Sequence, residues 1–365
     1  MQSPDRGPAR RPWSSRRSAL AALVGGGALL VLLSALLGSV PIPLVPGLEI
    51  LLHQISGGLL VPDPCAVLPP HAPSCATLTV IVWEIYLPEV VLALLVGAAL
   101  GVSGAALQGV FRNPLADPFL LGISSGGTLG AAVLYVFHFE EARADLFLPL
   151  FAFVGAVATG LLILAVARGR YGSVETLLLT GVAIANLLTA VLALVLLYNP
   201  FGGEQVTFWL LGGLGQADWE KDGIAFGALL ILGTLVVLYG RELNLLQLGP
   251  DVAQSAGVDA SRARLALILL ASLTTAVAVA FTGVIGFVGL VSPHIVRRLA
   301  GSDYRVVLPG SAVVGAVFLV FARDVGYLAF PGSALPVGIF TAFAGVPFFL
   351  YLLYRQRRLA PMGAL

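Results

Sequence analysis

The chain has 365 residues, 58% of them hydrophobic and only 11% charged, with a net charge of +1. Its mean hydropathy is +0.97, whereas soluble domains carry about 25% charged residues, so a soluble globular fold is excluded and the chain is a polytopic membrane protein. No basic aromatic patch speaks for nucleic acid, and the single lysine, Lys221, follows Trp219 and Glu220 rather than the glycines of a phosphate-binding P-loop, so ATP is not bound in that way.

Residues 1–17 are polar and hold Arg6, Arg10, Arg11, Arg16 and Arg17. A basic start before an apolar run also fits a signal peptide. However, Ala19–Val40 is long enough for a hydrocarbon core about 30 Å thick, and we read it as a retained first span with a cytoplasmic N-terminus. Residues 41–86 then form an extracytoplasmic segment broken by Pro62, Pro64, Pro69, Pro70 and Pro73. The only two cysteines, Cys65 and Cys75, lie there; outside the cytoplasm they can form a disulfide or stay free thiols. Within this segment Leu48–Leu60 is apolar but too short to span, so it is expected to lie against the membrane.

The next stretch, Gly97–Gly130, opens as a membrane helix in which Gly97, Gly101, Ala105 and Gly109 recur at every fourth position. That spacing leaves one face without bulk, so a neighbouring helix can approach closely. Ser103 and Gln108 are polar groups where an apolar span normally has none, and Arg112, Asn113, Pro114, Asp117 and Pro118 break the helix in a short polar turn. By apolar length, spans are expected at Leu87–Val110, Leu120–Phe137, Leu146–Ala167, Glu175–Leu197, Asp222–Tyr239, Leu265–Phe281, Val284–Leu299, Val306–Phe321 and Leu335–Tyr354, which with the first makes about ten. Val206–Leu214 is too short to cross and reads as a half-helix packed within the fold; Gly283, Gly286 and Gly289 are expected to permit close helix packing. This topology places every one of the 20 basic residues inside except Arg143, Lys221 and Arg323, in agreement with the positive-inside rule, and makes both termini cytoplasmic. The transmembrane domain is then 18–355, with a cytoplasmic tail at 356–365.

One inner loop, residues 241–264, reads as structured rather than as linker. Gly249 can cap, Pro250 suits the first helical position, Asp251 complements the positive helix end, and Gly257 can end the helix in a left-handed conformation. A helix held at the membrane surface is a docking element; the alternative is a plain surface loop.

With these residues in view, the chain resembles the FecCD family, the permeases of binding-protein-dependent ABC importers for cobalamin, iron-siderophores and haem. The resemblance rests on SGAALQGVFRNPLADPFLLGISSG (103–126), LLLTGVAIAN (177–186), LGPDVAQSAGVDASRAR (248–264), GLVSPHIVRRLAG (289–301) and LPVGIFTAFAGVPFFLYLL (335–353). It implies an all-α fold of about ten transmembrane helices containing inverted repeats. It further implies a homodimer around a central pathway, two ABC ATPase subunits docked on the cytoplasmic side of the inner membrane, and an extracytoplasmic substrate-binding protein. By that match Gly249, Pro250, Asp251, Ala253, Gly257 and Arg262 belong to the ATPase-coupling loop. Asn113 and Leu115 belong to a cytoplasmic gate, with Thr180 and Asn186 on the pathway. The turn also reads as a tight connection alone, and the two pathway side chains also read as bonds to a neighbouring helix.

The chain departs from the family at its outer face. Tyr86-Leu87-Pro88-Glu89 stands where family members commonly have RLPR, Leu328 where a further arginine is expected, and Ala334 where a glutamate precedes LPVG. The topology places Glu49, Asp63, Glu84, Glu89, Glu140, Glu141, Asp145, Glu204, Asp218, Glu220, Asp222 and Asp324 outside, against Arg143, Lys221 and Arg323. A binding protein would then dock here through basic residues or uncharged contacts, with Glu89 and Arg323 as the assigned docking charges; the alternative is a solvated acidic rim.

Two other classes fit less well. An ion-coupled secondary transporter carries ionisable groups inside its spans, and here the charges fall at span ends. A membrane enzyme needs a catalytic set, and none with the required spacing is present. No His, Cys or carboxylate cluster accompanies His294, so neither a metal nor a cofactor is expected.

Overall fold

The computed structural model describes residues 25–65, 68, 73–136, 144–167, 174–198, 203–330 and 335–359. The basic tail 1–17, the start of the first span, Glu140, Glu141, Arg143, Arg168, Arg170, Ala334 and residues 360–365 lie outside the described residues, as do the side chains of Asp145, Arg355, Arg357 and Arg358. Among the described residues there is no strand. The helices are α1 (Gly25–Ser34), α2 (Leu44–Ser56), α3 (Cys75–Thr79), α4 (Leu87–Phe111), α5 (Ile123–Val136), α6 (Ala144–Ala167), α7 (Val174–Tyr198), α8 (Gly203–Leu210), α9 (Trp219–Leu238), α10 (Gly240–Leu248), α11 (Pro250–Ser255), α12 (Ala260–Thr282), α13 (Val288–Ala300), α14 (Tyr304–Ala329) and α15 (Val337–Leu359).

The core is organised around α4, which packs against α9, α12, α13 and α14 and is buried along nearly its whole length. Its small residues explain the packing. A Cβ on Gly97 would sit 2.3 Å from the carbonyl oxygen of Gly315, and one on Gly101 would sit 2.1 Å from that of Ser311, so α14 runs backbone to backbone along this face. Ala105 is fully buried on the same face and Gly109 meets Leu243 and Tyr304. Gly104, outside the every-fourth pattern, does the same for α13, where the Gly289 oxygen lies 2.0 Å from its would-be Cβ. Such contacts carry association where lipid offers no hydrophobic drive. Gly283 and Gly289 also meet neighbouring backbone, whereas Gly286 faces open space and takes no part in packing.

Several boundaries differ from the expected ones. The second span begins earlier than Leu87: Cys75–Phe111 is one continuous helix of 37 residues. Its seven-residue segment Val80–Tyr86 is π-helical, and Leu87 N–H donates to the Val82 carbonyl. The wider turn precedes Pro88, whose ring would otherwise strike the carbonyl four residues back. The first span ends at Ser34 rather than Val40. Among the described residues six helices are long and apolar enough to cross a membrane, while α5 and the apolar part of α15 (Val337–Leu352) are shorter, and α1 is described only from Gly25 onward. The largest correction is at the expected span Val284–Leu299. Only Val288–Ala300 is helical, 13 residues or about 20 Å, after an irregular stretch in which Gly283 and Phe287 have φ of 70° and 69°.

The apolar segment before the second span is α2, shifted to Leu44–Ser56 and closed by left-handed Gly57. Its Pro46, Gly47, Ile50 and Leu51 are buried, and Ile50 and Leu51 join a cluster with Ala35, Leu36, Leu78 and Val82. Val45, Leu52 and Ile55 stay exposed on the other side. A one-sided apolar surface of this kind suits a helix lying in a membrane interface.

Candidate functional site

The loop after α9 folds as two helices. α10 is seated on the ends of α4 and α14 by Leu243 and Leu246, both fully buried. Gly249, at φ 123°, turns the chain into α11, which starts on Pro250 with Asp251 in its first turn. Gly257, at φ 82°, ends α11: its N–H donates to the Gln254 carbonyl at 2.9 Å and that of Val258 to the Ala253 carbonyl at 2.9 Å, a Schellman closure. Ala253 alone is buried, so Asp251, Val252, Gln254 and Ser255 form an exposed face. Arg262 pairs with Asp259 at 3.1 Å on the surface, a geometry that adds little stability. All the expected docking residues are therefore in one loop, with Asp251 on its exposed face.

The polar turn lies beside this loop. Arg112 ends α4 in the left-handed region at φ 49°, with its own N–H on the Gly109 carbonyl and the Asn113 N–H on that of Gln108. This is the same closure, with arginine at the position glycine usually takes. Asn113 is exposed, and its Oδ1 accepts from Leu115 N–H at 2.9 Å, so its side chain serves its own turn while Leu115 is half-buried. Asp117 caps the 3-10 turn Pro118–Leu121 by accepting from Phe119 N–H at 2.9 Å. Burial pushes its carboxyl up to about 6, opposed by that hydrogen bond. Thr180 and Asn186 are on α7, a helix that packs against the 3-10 turn Pro118–Leu121 and leaves Leu179, Leu187 and Leu194 exposed. Asn186 donates to the Val182 carbonyl of its own helix at 2.8 Å, and Thr180 is half-buried.

Gln108 acquires a reason for being polar. Pro293 in α13 has no N–H for the Gly289 carbonyl four residues back. The Gln108 amide donates to that oxygen at 3.2 Å instead, and its Oε1 accepts from Arg297. Ser103 Oγ is buried with no partner among the described residues.

At the opposite ends of α9 and α12 lies a cavity of about 440 Å³. Tyr135, Trp209, Phe281, Tyr327 and Phe340 line it together with Glu204. Breaks in three elements meet at its wall: Gly213 N–H donates to the Thr282 carbonyl at 2.8 Å and Gly338 N–H to that of Gly212 at 3.2 Å. Sequence reading missed this cavity; the short α8 and the glycines after it are the only local signal.

Residues 26–355 match the FecCD transport family. The chain belongs to that family. The permease is 42% identical over 280 residues to the hemin transport system permease HmuU of Yersinia pestis, covering 76% of this chain and 84% of that one. It is 38% identical to the cobalamin import permease BtuC of Halobacterium salinarum over 92% of this chain and 96% of the relative. With the Fe(3+)-citrate import permease YfmE of Bacillus subtilis it shares 39% over 76% and 83% of the two chains. Among solved structures it resembles a metal-chelate-type ABC transporter in an inward-facing conformation, with a TM-score of 0.76, 26% identity, and coverage of 93% of this chain and 99% of that one.

Where the permease departs from its family, the structure corrects the assigned docking charges. Glu89 and Arg323 are only 5% and 4% exposed and bond to each other. Arg323 Nη2 and Nε reach Glu89 Oε2 at 2.8 and 3.0 Å, and Tyr327 Oη donates to Glu89 at 3.0 Å. Arg323 Nη1 also donates to the Ser34 and Leu37 carbonyls at 3.2 and 3.0 Å and to Asp324 at 3.1 Å, while Ser34 Oγ donates to Asp324. This network ties α1, α4 and α14 together and leaves neither charge free for a partner. Cys65 and Cys75 are bonded, with Cα atoms 5.7 Å apart. Near this end Asp63, Glu84, Glu204 and Glu220 are exposed, whereas Lys221, 7% exposed, is held at 2.9 Å by both Asp218 and the Gln216 carbonyl.

Proposed function

We propose that the permease carries a metal chelate across the cytoplasmic membrane, a ferric siderophore or cobalamin ahead of haem, driven by ATP hydrolysis on a separate subunit. The exposed α11 supports this most directly. It is a short helix that starts on Pro250 and is closed at Gly257, at the far ends of α9 and α12 from the cavity, about 30 Å away by helix length. A surface helix built so rigidly suits a groove on an ATPase, with the cavity end facing an extracytoplasmic binding protein. The arginine-rich docking end is then cytoplasmic, with both termini on that side, and a second copy of the chain completes the pathway along α7.

The cavity wall is mostly aromatic and apolar, with Glu89, Glu204 and Arg323 as its charged members and no His, Cys or Met among its lining residues. It suits a large amphipathic chelate gripped by its organic shell rather than by its metal. The exposed acids at the cavity end suit a binding protein with basic docking residues. Charge reversal at Glu220 and Glu84 is expected to weaken that docking about tenfold; unchanged affinity removes both from the interface.

One observation favours ion-coupled transport instead. Asp222 is 2% exposed and its carboxylate has no partner among the described residues. It lies in the first turn of α9 and does not line the cavity, so the helix N-terminus gives it a structural use. Uptake of labelled cobalamin and labelled ferric siderophore by a strain lacking the permease, with complementation, tests the substrate. Loss of one alone assigns it, and loss of neither turns the test to haem. Purification through a tag on this chain tests the drive. An ATPase that co-purifies, and that Val252→Glu releases, supports the importer; uptake abolished by an uncoupler with no ATPase bound supports the rival.

A further inference from the structure

The last turn of α4 is gripped by α10 through polar bonds that docking alone does not need. The Arg112 guanidinium donates to the Leu246 carbonyl, and Gln247 Nε2 donates to the Gly109 carbonyl at 2.8 Å. Leu243 closes over Gly109 so tightly that a Cβ there would lie 2.8 Å from its Cδ2. On its other side α10 is fixed to the start of α14: Asn244 Nδ2 donates to Asp303 at 2.6 Å and its Oδ1 accepts from Tyr304 N–H at 3.0 Å. Arg112 and Phe287 are the two residues other than glycine with positive φ among those described. A non-glycine residue in that region needs compensation from its surroundings. For Arg112 the compensation is the bond to α10.

Apolar contact between Leu243 and Gly109 has no direction and resists sliding weakly. The two hydrogen bonds fix the register of α10 against residues 109–112, and residue 113 begins the polar turn. α10 passes into α11 through Gly249 alone.

We propose that Arg112 and Gln247 are positioning residues that carry displacement of the docked α11, through α10, to the turn at 113–118. The proposal rests on the importer reading above. It makes the turn a follower of the docking loop rather than an independent gate.

The two cysteines are bonded to each other and the sequence has no third. A single introduced thiol is therefore the only reactive one on this chain. Asn113→Cys reports the turn, and Gln254→Cys reports α11. Each is placed in the parent and in an Arg112→Gly/Gln247→Leu background, glycine being chosen because it keeps the left-handed turn. Maleimide labelling rates are measured on the assembled transporter, with and without a non-hydrolysable ATP analogue.

In the parent, nucleotide is expected to change both rates by about fivefold or more, the lower end of ordinary coupling between sites. In the double variant the Gln254→Cys response persists while the Asn113→Cys response falls below about twofold. An Asn113→Cys response as large as in the parent overturns the proposal. A double variant that no longer holds the ATPase also overturns it, since the bonds would then serve assembly. Gln247→Leu alone, which keeps Arg112, is measured in parallel, and an unchanged Asn113→Cys response there likewise counts against transmission. A parent that binds no ATPase overturns the importer reading instead.

Discussion

At its start α4 is held by opposite charges, Glu89 against Arg323, with Tyr327 and Asp324 closing the network. At its end the same helix is held by amide and guanidinium groups on neutral acceptors: Gln247 on the Gly109 carbonyl, Arg112 on that of Leu246, Arg297 on Gln108. The difference is one of reversibility. A buried ion pair cannot open without stranding a charge, so that end is an anchor. Hydrogen bonds to neutral acceptors fix the register of α10 yet strand no opposite charge when they break, so the other end is a joint.

Removing one partner at the anchor should have the largest effect. Arg323→Ala is expected to lower stability by about 3–5 kcal/mol, because it leaves Glu89 buried and unpaired, read as the thermal unfolding midpoint in detergent. Glu89→Gln, which keeps one acceptor oxygen, should lose less; equal losses would show that hydrogen bonding rather than charge holds this end.

The middle of α4 comes next. Gly101→Val drives side-chain atoms into the Ser311 carbonyl of α14 and is expected to lose about 1–3 kcal/mol, the usual range for overpacking, with a matching fall in monodisperse yield. A neutral result would mean that the two helices can separate without loss.

At the joint, Gln247→Leu should cost only about 0.5–1.5 kcal/mol. If it proves as damaging as Arg323→Ala, the joint is a second anchor and the comparison fails.

The smallest effect is a pH slope just beyond the joint. Asp117 is pushed up to about 6 from an ordinary 3.8, so the folded state binds its proton more tightly than the unfolded chain does. Stability from this group is present at low pH and is lost as pH rises from about 4 through 6, with no change above. Asp117→Asn keeps the cap and should remove that slope, measured as the difference in unfolding midpoint between variant and parent across this range. A parallel slope in both proteins would assign it to another group.

How much was legible in the sequence follows the range of each signal. The caps at Gly249, Pro250 and Gly257 and the small face of α4 are local patterns, and they correspond to what those residues do. Glu89 was misread as a surface charge because its partner lies 234 positions away, and Gln108 had no evident purpose because the carbonyl freed by Pro293 lies 181 positions away. The irregular stretch at 283–287 escaped for another reason. Apolar length cannot tell a helix from a backbone segment buried among other helices, where protein rather than lipid satisfies the polar groups. The cavity has no sequence pattern of its own, since it forms where breaks in three distant elements meet.

Lys221 has a practical consequence. It is the chain's only lysine, and Asp218 and the Gln216 carbonyl occupy its ammonium group below the surface. Amine-directed cross-linkers and biotin esters therefore find almost no side chain to react with, and trypsin has essentially only arginines to cut at. In a lysine cross-linking map of the assembled transporter the neighbours would link to one another around a silent centre, and the permease would be located by the gap it leaves.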